Sequence, residues 1–204
     1  MDDRRIQVLY DEYVVAPDLE RVALLRGLRE RCARDATVLY PGSSIHVTPS
    51  FFFQHVVYVD RSELARDFFG RAAAVLEVVR ARKTYAQAPY VRFIEQDFTL
   101  PLPIPDESCD VLLALYAGAI SATCARYVRP GGLLLSNDHH GDAADAARLA
   151  DFTLEAVVEE RRADVRFHDD ALERWSPPGP PRRHAPKPAY YLFRRARVTR
   201  RAAT

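Results

Sequence analysis

Glycine is scarce in this chain, with 8 among 204 residues against 14 prolines. So few glycines leave little room for loops that need left-handed backbone at several successive positions. Cysteine is scarcer still: Cys32, Cys109 and Cys124 are too few and too scattered for a disulfide framework, and no pair has metal-knuckle spacing. Reduced thiols are expected, at least two of them buried. No charge dominates, since 29 Lys and Arg stand against 28 Asp and Glu, which excludes a global field that draws in nucleic acid or an anionic membrane. The longest apolar run, Val111 to Ile120, is about half a membrane span, and the opening MDDRR has no apolar core of a secretion signal. These absences imply a soluble, cytoplasmic protein with neither nucleic acid nor membrane as partner, whose ligand is chosen by a local site.

What is present suits one domain with a full core, 48% of the residues being apolar. Residues 18–34 put Val22, Leu25, Leu28 and Cys32 at helical spacing, so residues 1–35 form an N-terminal helical segment. Residues 36–160 alternate strand and helix signals. TVLY, HVVYVD, YVRFIEQD, CDVLLALY and LLLSN read as strands, and Ser62 is a candidate N-cap for helical material reaching about Lys83. DFTLEAVVEE and AYYLFRRARV alternate like two further strands with no clear helix between them, which suggests an antiparallel pair at one edge. Residues 161–188 read as a proline-rich loop, and 189–204 as the last strand and a basic tail. The expected architecture is α/β: a doubly wound, mostly parallel seven-stranded sheet with helices on both faces and an antiparallel edge strand.

In an open parallel sheet, ligands bind outside the carboxyl ends of the strands. Those ends carry Gly42, Ser43 and Ser44, then Asp60, then Asp97, then Tyr116, Ala117 and Gly118, then Asn137 to His140. Each has a plain alternative: a tight turn at Gly42, helix or loop caps at Asp60, Asp97, Asp138 and Asp142. Together at one rim they point to a site. A carboxylate ending strand two can accept from a ribose diol, which makes Asp60 the ribose candidate. Asp97 beside Phe98 offers an acceptor and an apolar wall for adenine. A side chain at Gly42 is expected to block a ligand while leaving the fold largely intact.

The motifs VLYPGSS, YVD, QDF, DVLLALYAG and YVRPGGLLL, in that order and at these spacings, resemble the class I S-adenosylmethionine-dependent methyltransferases over roughly residues 20–196. The sequence is also similar to a group of methyltransferase-like bacterial proteins. The resemblance implies S-adenosylmethionine as cofactor. Gly42, Ser43 and Ser44 would pass its amino-acid end, Asp60 its ribose and Asp97 its adenine, and Tyr116, Ala117 and Gly118 would face the methyl group and substrate. At three positions the loop departs from the family's pattern: Tyr40 stands for the acid, and Ser44 and His46 stand for two of three glycines. Their side chains occupy space that the methionine part would use.

Three other stretches carry candidate chemistry. NDHHGD at 137–142 offers His139 or His140 as a base, with plain exposed turn as the alternative; no metal motif is completed there. TPSFFFQH reads as aromatic packing of a helix on the sheet, or as a wall beside the loop. RRARVTRR, with Arg182 and Arg183, reads as a solvated edge and tail rather than an RNA patch. The expected function is a small-molecule methyltransferase. The alternatives are a methyltransferase-like enzyme of different chemistry on another nucleoside or metabolite, and a non-catalytic binding or assembly protein. The substrate is expected to touch the N-terminal segment and the loop near 161–188.

Overall fold

A computed structural model describes residues 4–161, 164–169 and 189–197. Its frame is one eight-stranded sheet of order β3-β2-β1-β4-β5-β8-β6-β7. The strands are β1 Thr37–Pro41, β2 His55–Asp60, β3 Tyr90–Glu95, β4 Cys109–Ala114, β5 Val128–Asn137, β6 Phe152–Arg161, β7 Asp164–His168 and β8 Ala189–Arg195. The pairings from β3 across to β5 are all parallel. Because β8 runs antiparallel to both β5 and β6, β6 shares the direction of the first five strands.

Two expectations change here. Among the described residues the sheet has eight strands, not seven, because DVRFH within the supposed proline-rich loop folds back on β6 as β7. Five residues with polar ends give too short a pattern to stand out next to a proline-rich stretch. The second change concerns AYYLFRR: it does pair with β6, yet it lies inside the sheet between β5 and β6, and β7 takes the edge. The rest of 161–188, Arg182 and Arg183 included, and the tail beyond 197 lie outside the described residues.

Alternate residues of the central strands feed two cores, one on each face. Val38, Tyr40, Val56, Tyr58, Val111 and Leu113 join the core under α1 Arg4–Tyr10, α2 Val22–Glu30, α3 Pro49–Phe52, α4 Glu63–Phe69 and α5 Ala72–Arg82. Leu39, Val57, Val59 and Leu112 join the opposite core under α6 Ile120–Cys124 and α7 Asp142–Arg148. Strands apolar on both faces follow from this double cover. Phe51, Phe52 and Phe53 are all buried in the first core, so the TPSFFFQH aromatics pack rather than line a site. Ser62 caps α4 by accepting from the Ala65 amide. Cys109 and Cys124 are buried and Cys32 half-buried, all three as free thiols. Among the described residues no helix is long and apolar enough to cross a membrane.

Candidate functional site

The loop after β1 folds over the end of β2. The Gly42 amide donates to the Val59 carbonyl at 2.7 Å, and the Ser44 amide donates to Asp60 Oδ2 at 2.8 Å. Gly42 has φ +66° and Ser44 φ 45°, so the loop keeps left-handed backbone even where serine replaces glycine. A Cβ added at Gly42 would lie 2.1 Å from the Ala117 Cβ. The glycine is therefore required by the contact with the loop after β4, and a side chain there disturbs the protein itself, contrary to expectation.

Asp60 holds this corner together. Its Oδ1 accepts from the Ser62 amide at 2.7 Å while Oδ2 takes Ser44, so it does anchor the following turn as the plain alternative held. Each carboxylate oxygen accepts about two hydrogen bonds, so one lone pair on each stays available to a ligand. Asp97 lies beyond the end of β3 and is more heavily engaged. Its Oδ1 accepts from both the Thr99 amide and hydroxyl, and its Oδ2 from Arg61 at 3.0 Å. The Thr99 amide, then its hydroxyl and the nearby Arg61, hold the Asp97 carboxyl below its usual pKa. Asp60, Asp97, Phe98, Gly42 and Ala117, with Arg61 and Thr99, line a hollow of about 520 Å³. Arg61 and Thr99 were not among the sequence candidates; their adjacency to the two aspartates was the available signal.

A second hollow of about 390 Å³ lies on the other side of Gly42. Ser43, Ser44, Tyr40, Ile45, His46, Leu115 and Tyr116 line it from the sheet rim, and Tyr13, Val14, Leu19 and Arg21 from the N-terminal segment. Both volumes fall in the range of about 300–1,000 Å³ common for small-molecule sites. Here two of the departures from the glycine motif meet: the Tyr40 hydroxyl lies 3.0 Å from His46 Nδ1, and His46 Nε2 lies 3.2 Å from the Glu20 carbonyl. A carbonyl only accepts, so Nε2 carries the proton and Nδ1 accepts from Tyr40. Burial lowers the His46 pKa to about 4, which keeps the ring neutral. The tyrosine and the histidine thus satisfy one another.

Tyr116 adopts φ 60° at the end of β4 and is exposed toward the second hollow. Its amide donates to Asn137 Oδ1 at 3.3 Å and its hydroxyl lies 3.0 Å from that of Tyr190. The Tyr190 hydroxyl in turn donates to Glu160 Oε2 at 3.2 Å. Ala117 faces the first hollow, and Gly118, with φ +95°, has open space around it. The NDHHGD stretch is divided. Asn137 and Asp142 are buried, the latter accepting from the Ser121 amide and hydroxyl and from the Ser136 hydroxyl. Burial, only partly offset by those bonds, raises the Asp142 pKa. His139 and His140 are exposed with rings 4.1 Å apart; His139 lies 5.6 Å from the Tyr116 ring, and neither lines either hollow. No described group of three His, Cys, Asp or Glu side chains could hold a metal ion. In the basic stretch after β8 begins, Arg194 is bound by Glu155 and Arg195 by Asp151.

No protein-family model and no curated protein matches the chain. Solved structures do match in shape. An S-adenosylmethionine-dependent methyltransferase from Methanosarcina mazei superposes with a TM-score of 0.56 at 11% identity, over 83% of this chain and 97% of that one. The N-methyltransferase NodS of Bradyrhizobium japonicum, solved with S-adenosylhomocysteine, gives 0.52 at 10% identity, over 86% of each chain. The [4+2]-cyclase SpnF gives 0.51 at 14% identity, and the match spans 68% of this chain but only 60% of the cyclase. The eight-stranded sheet with its reversed strand between β5 and β6 has the fold of the class I S-adenosylmethionine-dependent methyltransferases.

Proposed function

We propose that the chain is a methyltransferase that uses S-adenosylmethionine and acts on a small molecule. The observation that carries this reading is the convergence of Asp60, Asp97, Phe98 and Gly42 on one hollow, with Gly42, Ser43 and Ser44 also lining a second. The donor set suits a nucleoside. Asp60 keeps a lone pair on each oxygen for a ribose diol, Asp97 Oδ2 keeps one for an adenine amino group, and Phe98 gives an apolar wall. When bound, S-adenosylmethionine supplies an electrophilic methyl group on a sulfonium. The protein's part is to hold an acceptor atom in line and exclude water, a part we assign to Tyr116 and Ala117, which line the two hollows, and to the N-terminal wall. His139 and His140 stand outside both hollows, so a role for either as base would require a substrate that reaches the rim.

A second reading is favoured by the Tyr40–His46 pair, which fills space under the loop, and by the likeness to a cyclase: a methyltransferase-like enzyme of different chemistry in the same hollows. Calorimetry with S-adenosylmethionine and S-adenosylhomocysteine separates the two. Binding is expected in the wild type, and Asp60→Ala is expected to weaken it by about 1.5–3 kcal/mol. No heat of binding for either ligand would remove the methyltransferase reading.

A further inference from the structure

We propose that Tyr116, Tyr190 and Glu160 form a one-way proton ladder that serves a small phenol-like ligand held in the second hollow. The three residues come from three elements that end on the same rim. Tyr116 follows β4, Tyr190 begins β8 opposite Asn137 of β5, and Glu160 lies near the end of β6. The polarity of the ladder follows from hydrogen-bond arithmetic. Tyr190 has one hydroxyl proton and gives it to Glu160 at 3.2 Å, so in the 3.0 Å contact between the two tyrosines it is Tyr116 that donates. Arg21 can only donate to the Tyr116 oxygen, which keeps one further lone pair as an acceptor at the edge of the hollow. A ligand that reaches it must bring a proton.

The surroundings narrow the ligand further. Tyr13, Leu19, Ile45 and Leu115 make the hollow's walls apolar, and 390 Å³ suits a single substituted ring. Tyr40 and His46 are satisfied by one another and by Glu20. Arg21, from the start of α2, lies 5.7 Å from the centre of the Tyr116 ring and 3.7 Å from Glu160. Its cation stands beside the place where a hydroxyl would lose its proton, and favours the anion formed there. Among the described residues, the charged and titratable groups around the ladder include Arg21 just before α2, Tyr40 from β1, Glu160 from β6, Tyr190 from β8 and His139 beyond Tyr116.

The proton balance is simple. The ligand's hydroxyl proton goes to the Tyr116 oxygen as Tyr116 passes its own to Tyr190 and Tyr190 its own to Glu160. The ligand is left an anion and Glu160 a neutral acid, with no change in net charge. Tyr116 is the catalytic group in this scheme, and Tyr190 and Glu160 act through it. The inference rests on the proposed function for the fate of the anion, but the phenol contact is testable without the cofactor.

The probe is para-nitrophenol, titrated into cofactor-free protein on the acid side of the probe's own pKa. The wild type is expected to bind it and Tyr116→Phe to bind about tenfold more weakly, the loss of one hydrogen bond. Absence of wild-type binding, or equal binding by the folded variant, overturns the proposal. Calorimetry with S-adenosylmethionine on the same samples keeps the two readings apart. If phenol binding depends on Tyr116 but the cofactor does not bind, the methyltransferase reading falls and the ligand assignment stands. Where both bind, Glu160→Gln and Tyr190→Phe are expected to leave both affinities within about twofold and lower kcat by about 10²–10⁴. Unchanged kcat in both variants overturns the ladder.

Discussion

At neutral pH His46 is uncharged because burial lowers its pKa from 6.5 to about 4. A base whose folded pKa is depressed contributes stability above its unfolded pKa and loses it as pH falls toward the folded value. Between about pH 6.5 and pH 4 the wild type should lose on the order of 3 kcal/mol through this residue. His46→Gln should lose much less over that window, which urea unfolding near neutrality and at about pH 5 would reveal. The neighbouring loop offers a paired prediction. Ser44 occupies left-handed backbone with a side chain, so Ser44→Gly should leave stability level or raise it by up to about 1 kcal/mol. Gly42→Ala drives a Cβ to within 2.1 Å of Ala117 and should cost about 2–4 kcal/mol. The two glycine positions of the motif would then part in opposite directions in one denaturation series.

At the scale of elements, the hairpin of β6 and β7 is docked on α2. The Phe167 ring lies so close to Gly27 that an added Cβ would sit 2.7 Å from it, and Arg31 lies 4.4 Å over the same ring while bonding Asp169 at 3.1 Å. Helix propensity alone predicts that Gly27→Ala stabilises α2 by about 1 kcal/mol. The contact predicts the reverse, because a ring held between a helix and an arginine has little room to retreat. A lower melting temperature for Gly27→Ala would show that the hairpin packs as described, and a higher one would show that it does not. This docking also explains why DVRFH forms a strand at all. Its partners are β6 and, through Phe167, α2, neither of which a local pattern contains.

For the whole molecule, a ligand that binds only the folded state at about a hundred times its Kd adds about 2.7 kcal/mol. In a chain of this size that corresponds to a rise of about 5–10 °C in melting temperature. Saturating S-adenosylhomocysteine is expected to produce such a rise in the wild type and a smaller one in Asp60→Ala. A curve that does not move with the ligand would mean that the first hollow holds something else.

The sequence by itself determined the alternation of strands and helices, the burial of both sheet faces, the Ser62 cap and the set of polar strand ends. All of these are local: they depend on residue spacing, β-branching and the conformational freedom of a few loop residues. Tertiary structure decided the rest. The place of β8 between β5 and β6, rather than at the edge, depends on hydrogen bonds between segments thirty or more residues apart. That Tyr40 and His46 answer one another, though each looked like a defect in the glycine motif, depends on a loop that brings their side chains within 3.0 Å. The separation of Asn137 and Asp142 from His139 and His140 arises because Asn137 is still part of β5, while left-handed φ at His140 and Gly141 turns the chain back so that Asp142 is buried and the two histidines stay outside. A one-dimensional pattern records which side chains are available, but which of them share a hollow is set by chain directions and long-range pairing.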